Sequence, residues 1–306
     1  MDVKAYTHDL LFEIGAEEMP SGPLYDAAQQ LEVNAGQALR HARLHYRDLT
    51  VYFTPRRLSL LVRGLADQQA EETKTVRGPK TTYAYDVDTK EPTKALTGFL
   101  AKNALTAADI TIIDDVVTAT VTTAAEKTTA VLPALLTGLI TSISWKKPQR
   151  WGSGDEKFIR PVRWLLAIYG AAVVPLRFGD IIAGNTTRGH RFLSRGPVTI
   201  AAMREYKNVL RGNHVIVDAA ARRAEIVSAT MTAADAYGAA LIDDTVLAEV
   251  VNLTEFPNAL VGAFDEEFLR VPREILQYAM STHQRYFAIQ RPDGKLDNHF
   301  VVISNG

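Results

Sequence analysis

The chain has 306 residues, 47% of them hydrophobic and 23% charged, a globular composition long enough for two domains or one large one. It contains no cysteine, which excludes disulfides, a thiolate nucleophile and a Cys-ligated zinc site. No run reaches the roughly 18 apolar residues of a membrane span, and the N-terminus carries acids where a signal peptide carries basic and then apolar residues, so a cytoplasmic protein is expected.

Read in chain order, DLLFEI (9–14) predicts a strand. Residues 21–44 predict a helix, with Ser21 as its cap, Pro23 in its first turn and Leu24, Leu31, Ala35 and Leu39 along one apolar face. TVYF (50–53) and RLSLLVRGL (57–65) predict a strand pair joined across TPR. Residues 71–95, rich in Thr, Lys and Asp, read as an exposed loop. A short helix around ALTGFLAKN follows, then a hairpin over ITIIDDVVTATVTT turning at Asp114 and Asp115, and a helix over 126–143. RPVRWLLAIYG and VVPLRF read as buried strands, and Ser-Arg-Gly-Pro at 194–197 as a break before VTI. Next come a helix over 201–211, a strand VIVD (215–218), and a long helix from Asp218, a good cap, to Tyr237. The last sixty residues hold the apolar segment NALVGAF, a helix PREILQYAMSTHQ with Ile275, Leu276 and Ala279 on its buried side and His283 at its end, and a hairpin turned by Pro-Asp-Gly. Strands and helices mix without a βαβ period, so the expected class is α+β, in subdomains over 1–70, 71–196 and 197–306.

Net charge is −1 but unevenly spread. Residues 145–195 carry ten Lys or Arg against three acids, whereas 241–274 carry eight acids against Arg270 and Arg273. A basic middle suits phosphates and an acidic third repels them or meets protein. The phosphate loop, the dinucleotide-binding glycines, the serine elbow and the zinc-protease helix motif are all missing from the sequence. His41 and His45 share a helix face, but Arg40, Arg43 and Arg47 surround them and argue against a metal. Glu17 with Glu18, and Asp265 to Glu267, are adjacent acids that point apart rather than a general acid/base pair.

The chemistry left is cationic and aromatic. PQRWGSGDEKFIRPVRW places Arg150, Arg160 and Arg163 beside Trp151 and Trp164, and GNTTRGHRFLSRGP adds Arg188, His190, Arg191 and Arg195 among glycines. Arg binds phosphate bidentately and Trp offers a stacking face, which points to RNA phosphates and unpaired bases. The alternative is structural: both tryptophans in the core and the arginines paired with acids.

Six segments, LLFEIGAEEMP, TPRRLSLLVRGL, VRGP, RWGSGDEKFIRPVRWLLAIYG, AGNTTRGHRF and EFPNALVGAFDEEFLRVPREILQYAMSTHQRYF, come in an order that resembles the beta subunits of bacterial tetrameric glycyl-tRNA synthetases. Gln149 and Met19 depart mildly from that family's pattern. The resemblance implies a protein about twice this length, and the apolar strand HFVVISNG at the C-terminus fits the N-terminal part of such a chain. It also implies that glycine activation, with ATP and Mg, belongs to a separate alpha subunit. This chain is then expected to be inactive alone, to hold no cofactor and to act in a heterotetramer of two alpha and two beta chains through tRNA(Gly) binding. The candidates for tRNA or alpha-subunit contact are Arg56, Arg57, Arg150, Trp151, Arg160, Arg188, His190 and Arg191. The rival expectation is an assembly segment whose basic surface meets only acidic protein.

Overall fold

The computed structural model describes residues 7–86 and 88–306. The run DLLFEI is buried on both faces because it lies in the middle of a sheet. β1 (Thr7–Ala16) has antiparallel neighbours β3 (Arg57–Ala66) and β7 (Val162–Tyr169), and β2 (Asp48–Thr54) pairs with β3 at one edge. Leu10, Phe12 and Ile14 alternate onto one face, where α1 (Ser21–His41) lays down Leu24, Leu31, Ala35 and Leu39. Burying each of those leucines stabilises by about 1.5–3 kcal/mol. Ser21 is not the cap, since Pro20 occupies that position with no side-chain cap bond. The helix stops three residues earlier than expected because Arg43 turns left-handed, with φ 55°, and the Leu44 amide bonds back to the Leu39 carbonyl.

From Gln68 to Thr128 the chain forms a compact unit of its own. β4 (Glu72–Lys80), β5 (Ile110–Ile113) and β6 (Val116–Thr123) pair antiparallel in the order β4-β6-β5, with α2 (Thr81–Ala84) and α3 (Lys94–Lys102) contributing to a small core of Ala84, Leu96 and Val117. Asp114 and Asp115 both take positive φ, 51° and 60°, as a two-residue hairpin turn of this hand demands. The loop expected over 71–95 is corrected to a strand over 72–80. Only Val76 marks it as apolar, and pairing with β6 supplies the order that its own residues do not.

The rest of the chain forms a larger unit that runs to Asp67 and again from Thr129 to Gly306. The expected boundary at 70/71 lies three residues from a unit junction. The one at 196/197 falls within the larger unit, between a strand and its hairpin partner. α4 (Thr128–Ser142) adds Leu132, Leu136 and Leu139 to the first core, and the parallel strand β10 (Ile181–Gly184) extends the sheet beyond β7. VVPLRF forms only β8 (Ala172–Val173) and β9 (Arg177–Phe178) around Pro175. β11 (Thr186–Arg188) and β12 (Pro197–Thr199) then pair and hold up the loop 189–196.

The opposite face of the sheet, with Leu11, Leu61, Leu166 and Ile168, is covered by Ile200, Val215, Val217 and α5 (Tyr206–Gly212). VIVD is not a strand. The amides of Val215 and Ile216 bond to the carbonyls of Leu210 and Glu255, and the valines serve as core fillers.

α6 (Ala219–Ala234) is capped by Asp218, whose side chain accepts from the amides of Ala220 and Ala221, as expected. It packs with α7 (Asp244–Val251) against a second sheet, ordered β13 (Ala239–Leu241), β15 (Phe287–Gln290), β16 (Leu296–Asn305), β14 (Pro257–Ala263). α8 (Arg273–Tyr278) continues as a π-helical stretch, Ala279–Gln284, that ends at Arg285 with φ 58°. Of the residues expected on the buried side, Leu276 packs against a core beside Met280, whereas Ile275, 58% exposed, and Ala279 face outward.

Candidate functional site

Strand alternation places Glu13, Ser59 and Trp164 on one face of the central sheet, and beside them Gly15 is aligned with both Arg57 and Trp164. A Cβ on Gly15 would come within 1.8 Å of the Trp164 ring, so the ring lies directly on the glycine. The apolar face therefore gives way to a buried polar cluster. The Glu13 carboxyl accepts hydrogen bonds from Trp164 Nε1 at 2.5 Å, from the Thr187 hydroxyl and from the Tyr206 hydroxyl, and Ser59 Oγ lies 2.6 Å from the same tyrosine oxygen. Arg57 Nη1 is 3.6 Å from Glu13, while Arg57 Nε and Nη2 donate to Glu255 Oε1 at 3.1 and 3.0 Å. Thr54 donates to the same Glu255 oxygen at 2.6 Å, and Arg57 Nη1 to the Thr187 hydroxyl at 3.2 Å. Burial opposes the charge of Arg57, but Glu255 and Glu13 outweigh it and raise its pKa. Burial, followed by the charge of Glu13, pushes the Tyr206 hydroxyl well above its ordinary value.

Beside this cluster lies an open cleft of about 490 Å3, lined by Glu17, Arg56, Arg163, Arg188, His190, Arg191 and the turn residues around them. The guanidinium carbons of Arg56, Arg57 and Arg188 are 5.5, 5.6 and 5.5 Å from the Trp164 ring centre, within cation–π range. Burial lowers the pKa of Arg56, with Arg57 and Arg191 adding to the decrease and Glu255 opposing it. Arg191 grips Glu18 and Glu17, each at 2.6 Å, and Arg163 reaches Glu17 at 3.2 Å. The charge of Glu18 raises the pKa of Arg191, with Glu17 adding to it. Arg188 makes no ion pair among the described residues.

The loop that carries this wall is rigidly founded. A Cβ on Gly189 would meet Ser194 Oγ at 2.3 Å and the Asn213 carbonyl at 2.8 Å, so only glycine fits. The His190 amide donates to the Asn213 carbonyl at 2.9 Å, the Ser194 amide to the His190 carbonyl at 3.1 Å, and Ser194 Oγ to Asn213 Oδ1 at 3.1 Å. His190 is 1% exposed. Its Nδ1 faces the amides of Phe192 and Leu193 at 3.4 and 3.3 Å, an arrangement that leaves the ring proton on Nε2, which has no partner.

Of the residues singled out in the sequence, the fold gathers Arg56, Arg188, His190 and Arg191 around one cleft. Arg57 is 0% exposed and its guanidinium is fully engaged inside the chain, so it offers no surface to a partner; the correction follows from its alignment with Gly15, which turns it inward. Arg150 is exposed and pairs with Asp155 at 3.2 Å, Trp151 packs its ring against Phe178 at 6.2 Å, and Arg160 donates to the Ile159 carbonyl at 3.0 Å; none of the three lines this cleft. Trp164, 7% exposed and bonded to Glu13, takes the core role.

Sequence reasoning missed Glu13, Tyr206 and Glu255 and did not count Arg163 among the contacts. The one usable signal was Glu13, the single charged residue within the buried stretch Leu10–Ala16 of β1, where an unpaired charge is excluded.

With this geometry in hand, comparison with known proteins places the chain. The family described as glycyl-tRNA synthetase beta subunit matches residues 10–306. The chain is 38% identical over 303 residues to the glycine–tRNA ligase beta subunit of Desulforamulus reducens and 40% identical over 304 residues to that of Natranaerobius thermophilus, in each case across 97% of this chain and 44% of the relative. With the beta subunit of Myxococcus xanthus the identity is 37% over 302 residues. The chain belongs to the glycyl-tRNA synthetase beta subunit family, and it spans less than half the length of these relatives.

Proposed function

We propose that this chain supports the ATP-dependent attachment of glycine to tRNA(Gly) by offering the Arg188 cleft to tRNA phosphates. Activation of glycine, with ATP and Mg, falls to an alpha subunit, with which the beta chain assembles as two alpha and two beta chains in the cytoplasm. Membership in the family supports the role in glycyl-tRNA synthesis. The observation that carries the phosphate reading is the state of Arg188: exposed, propped on Trp164 and without an acidic partner among the described residues. A phosphate oxygen supplies the acceptor that this guanidinium lacks within the chain, and its planar fork is suited to receive it.

The test is the salt dependence of tRNA(Gly) binding by this chain. Each phosphate contact contributes close to one unit to the slope of log K against log salt, so Arg188→Ala is expected to lower the slope magnitude by about one and to weaken binding by about tenfold at moderate salt. An unchanged slope with unchanged affinity overturns the reading. A loss confined to co-assembly with the alpha subunit moves the cleft to the assembly role, which the carboxylates already held by Arg191 show to be chemically available.

A further inference from the structure

We infer that Phe192 is a stacking face for an unpaired nucleobase, placed beside the arginines that hold the adjoining phosphate. The inference rests on the phosphate reading of the cleft and adds the part of the RNA that the site takes: a single-stranded segment.

Phe192 is 80% exposed, and no large apolar side chain among those described is more exposed. A phenylalanine in that position gains nothing from the core and is not left over from a disordered tip. The residues on either side of it are pinned: Gly189 has no room for a side chain, His190 is buried and bonded to Asn213, and Ser194 bonds to the same asparagine. The His190 ring stands 6.1 Å from the phenyl ring at 59°, at one side of it. The loop therefore presents the ring at little cost in lost freedom when a ligand arrives.

The surrounding charge selects the ligand. Between Asp180 and Glu205 the chain carries four arginines, Arg188, Arg191, Arg195 and Arg204, and no acid. An apolar protein partner would need a wide apolar patch, whereas here the ring has only Leu193, 44% exposed, beside it in the chain. Arg191 is taken up by Glu17 and Glu18 and Arg204 by Glu205, but Arg188 and Arg195 make no ion pair among the described residues. An aromatic face beside such unpaired cations is an arrangement that binds single-stranded nucleic acid, where every base offers a π-face and every linkage a charge. A base inside a duplex is already stacked and gains little from such a ring.

The experiment measures anisotropy of two labelled probes, a short single-stranded oligoribonucleotide and a blunt RNA duplex of the same length, on this chain and its variants. Stacking on one aromatic side chain changes affinity by about five- to a hundredfold, so Phe192→Ala is expected to weaken single-strand binding by about tenfold, with duplex binding and the salt slope unchanged. Phe192→Trp is expected to bind the single strand as well as wild type, and Phe192→Leu to lose affinity as the alanine variant does. Melting temperatures of all three are expected to match wild type, since the ring supports no core. If Phe192→Leu binds like wild type, or if Phe192→Ala weakens only assembly with the alpha subunit, stacking on a base is overturned. If Phe192→Ala binds as wild type while Arg188→Ala is impaired, this inference fails and the phosphate reading stands; if neither variant changes binding, both fail.

Discussion

Arg57 and Arg188 approach the same Trp164 ring, at 5.6 and 5.5 Å, and are put to opposite uses. Arg57 is closed in by Glu13, Glu255, Thr54 and Thr187, every donor directed inward. Arg188 has the ring behind it and solvent in front. Identical side chains on a shared platform differ only in whether the chain itself supplies the anion. A buried arginine with its carboxylates is a structural group, whereas one left without a carboxylate at the rim of a cleft has its donors open to an anion from outside.

The strongest way to break that comparison is Arg57→Ala. It strips two buried carboxyl groups of their cation, and removal of one partner from a buried pair costs about 3–5 kcal/mol. A large fall in denaturation midpoint is expected, where Arg188→Ala stays within about 0.5 kcal/mol of wild type, as surface changes do. Equal losses in chemical denaturation would show that the two arginines are not different in kind. Next in size is Gly15→Ala, which drives a methyl group into Trp164 and is expected to cost about 1–3 kcal/mol or more from overpacking. Because the displaced indole would also carry Arg188 with it, RNA affinity is expected to fall in this variant without any change to a charged residue; full affinity in a destabilised protein would show that Arg188 does not depend on the platform.

The smallest effect concerns an ion pair of intermediate exposure in the second sheet. Burial would raise the Asp297 pKa, but hydrogen bonds from Arg291 and His299 outweigh it and hold it at about 2, below the ordinary 3.8. A carboxyl with a depressed folded pKa stabilises above its unfolded value and loses that contribution as pH falls through the folded one. Asp297→Asn is thus expected to be less stable than wild type at neutral pH, with the gap closing between about pH 4 and pH 2. A gap that stays constant across that window in urea titrations would rule out the ionic contribution.

How much of this was legible in the sequence depends on where each instruction resides. β1, α1, α6 and the Asp114–Asp115 hairpin carry their own: apolar spacing, a capping aspartate, two residues that tolerate positive φ. VIVD reads as a strand because a strand and a buried connector share the same apolar residues, and only the amide partners, Leu210 and Glu255, separate them. β4 is hidden for the converse reason, its pairing with β6 being stronger than any pattern of its own. For the site, TPRR announces two arginines, but which one turns inward is decided by register with β1. The cluster around His190 was visible as composition, yet nothing local says that Arg150, 38 positions before Arg188, stays with Asp155 instead of joining it. Glu255 meets Arg57 across 198 residues, a distance at which sequence carries no sign of contact.

That span bears on how the protein is made. Arg57 needs Glu255, and Arg222 closes a second long link, donating to the carbonyls of Phe53, Ile216 and Val251 with its pKa lowered to about 10 mainly by burial. The strands laid down first during translation therefore hold Arg57 against Glu13 alone until Glu255, in the segment before β14, has been synthesised. Completion of the core around the amino-terminal sheet is thus a late event, and contacts of this span are of the kind that slow folding.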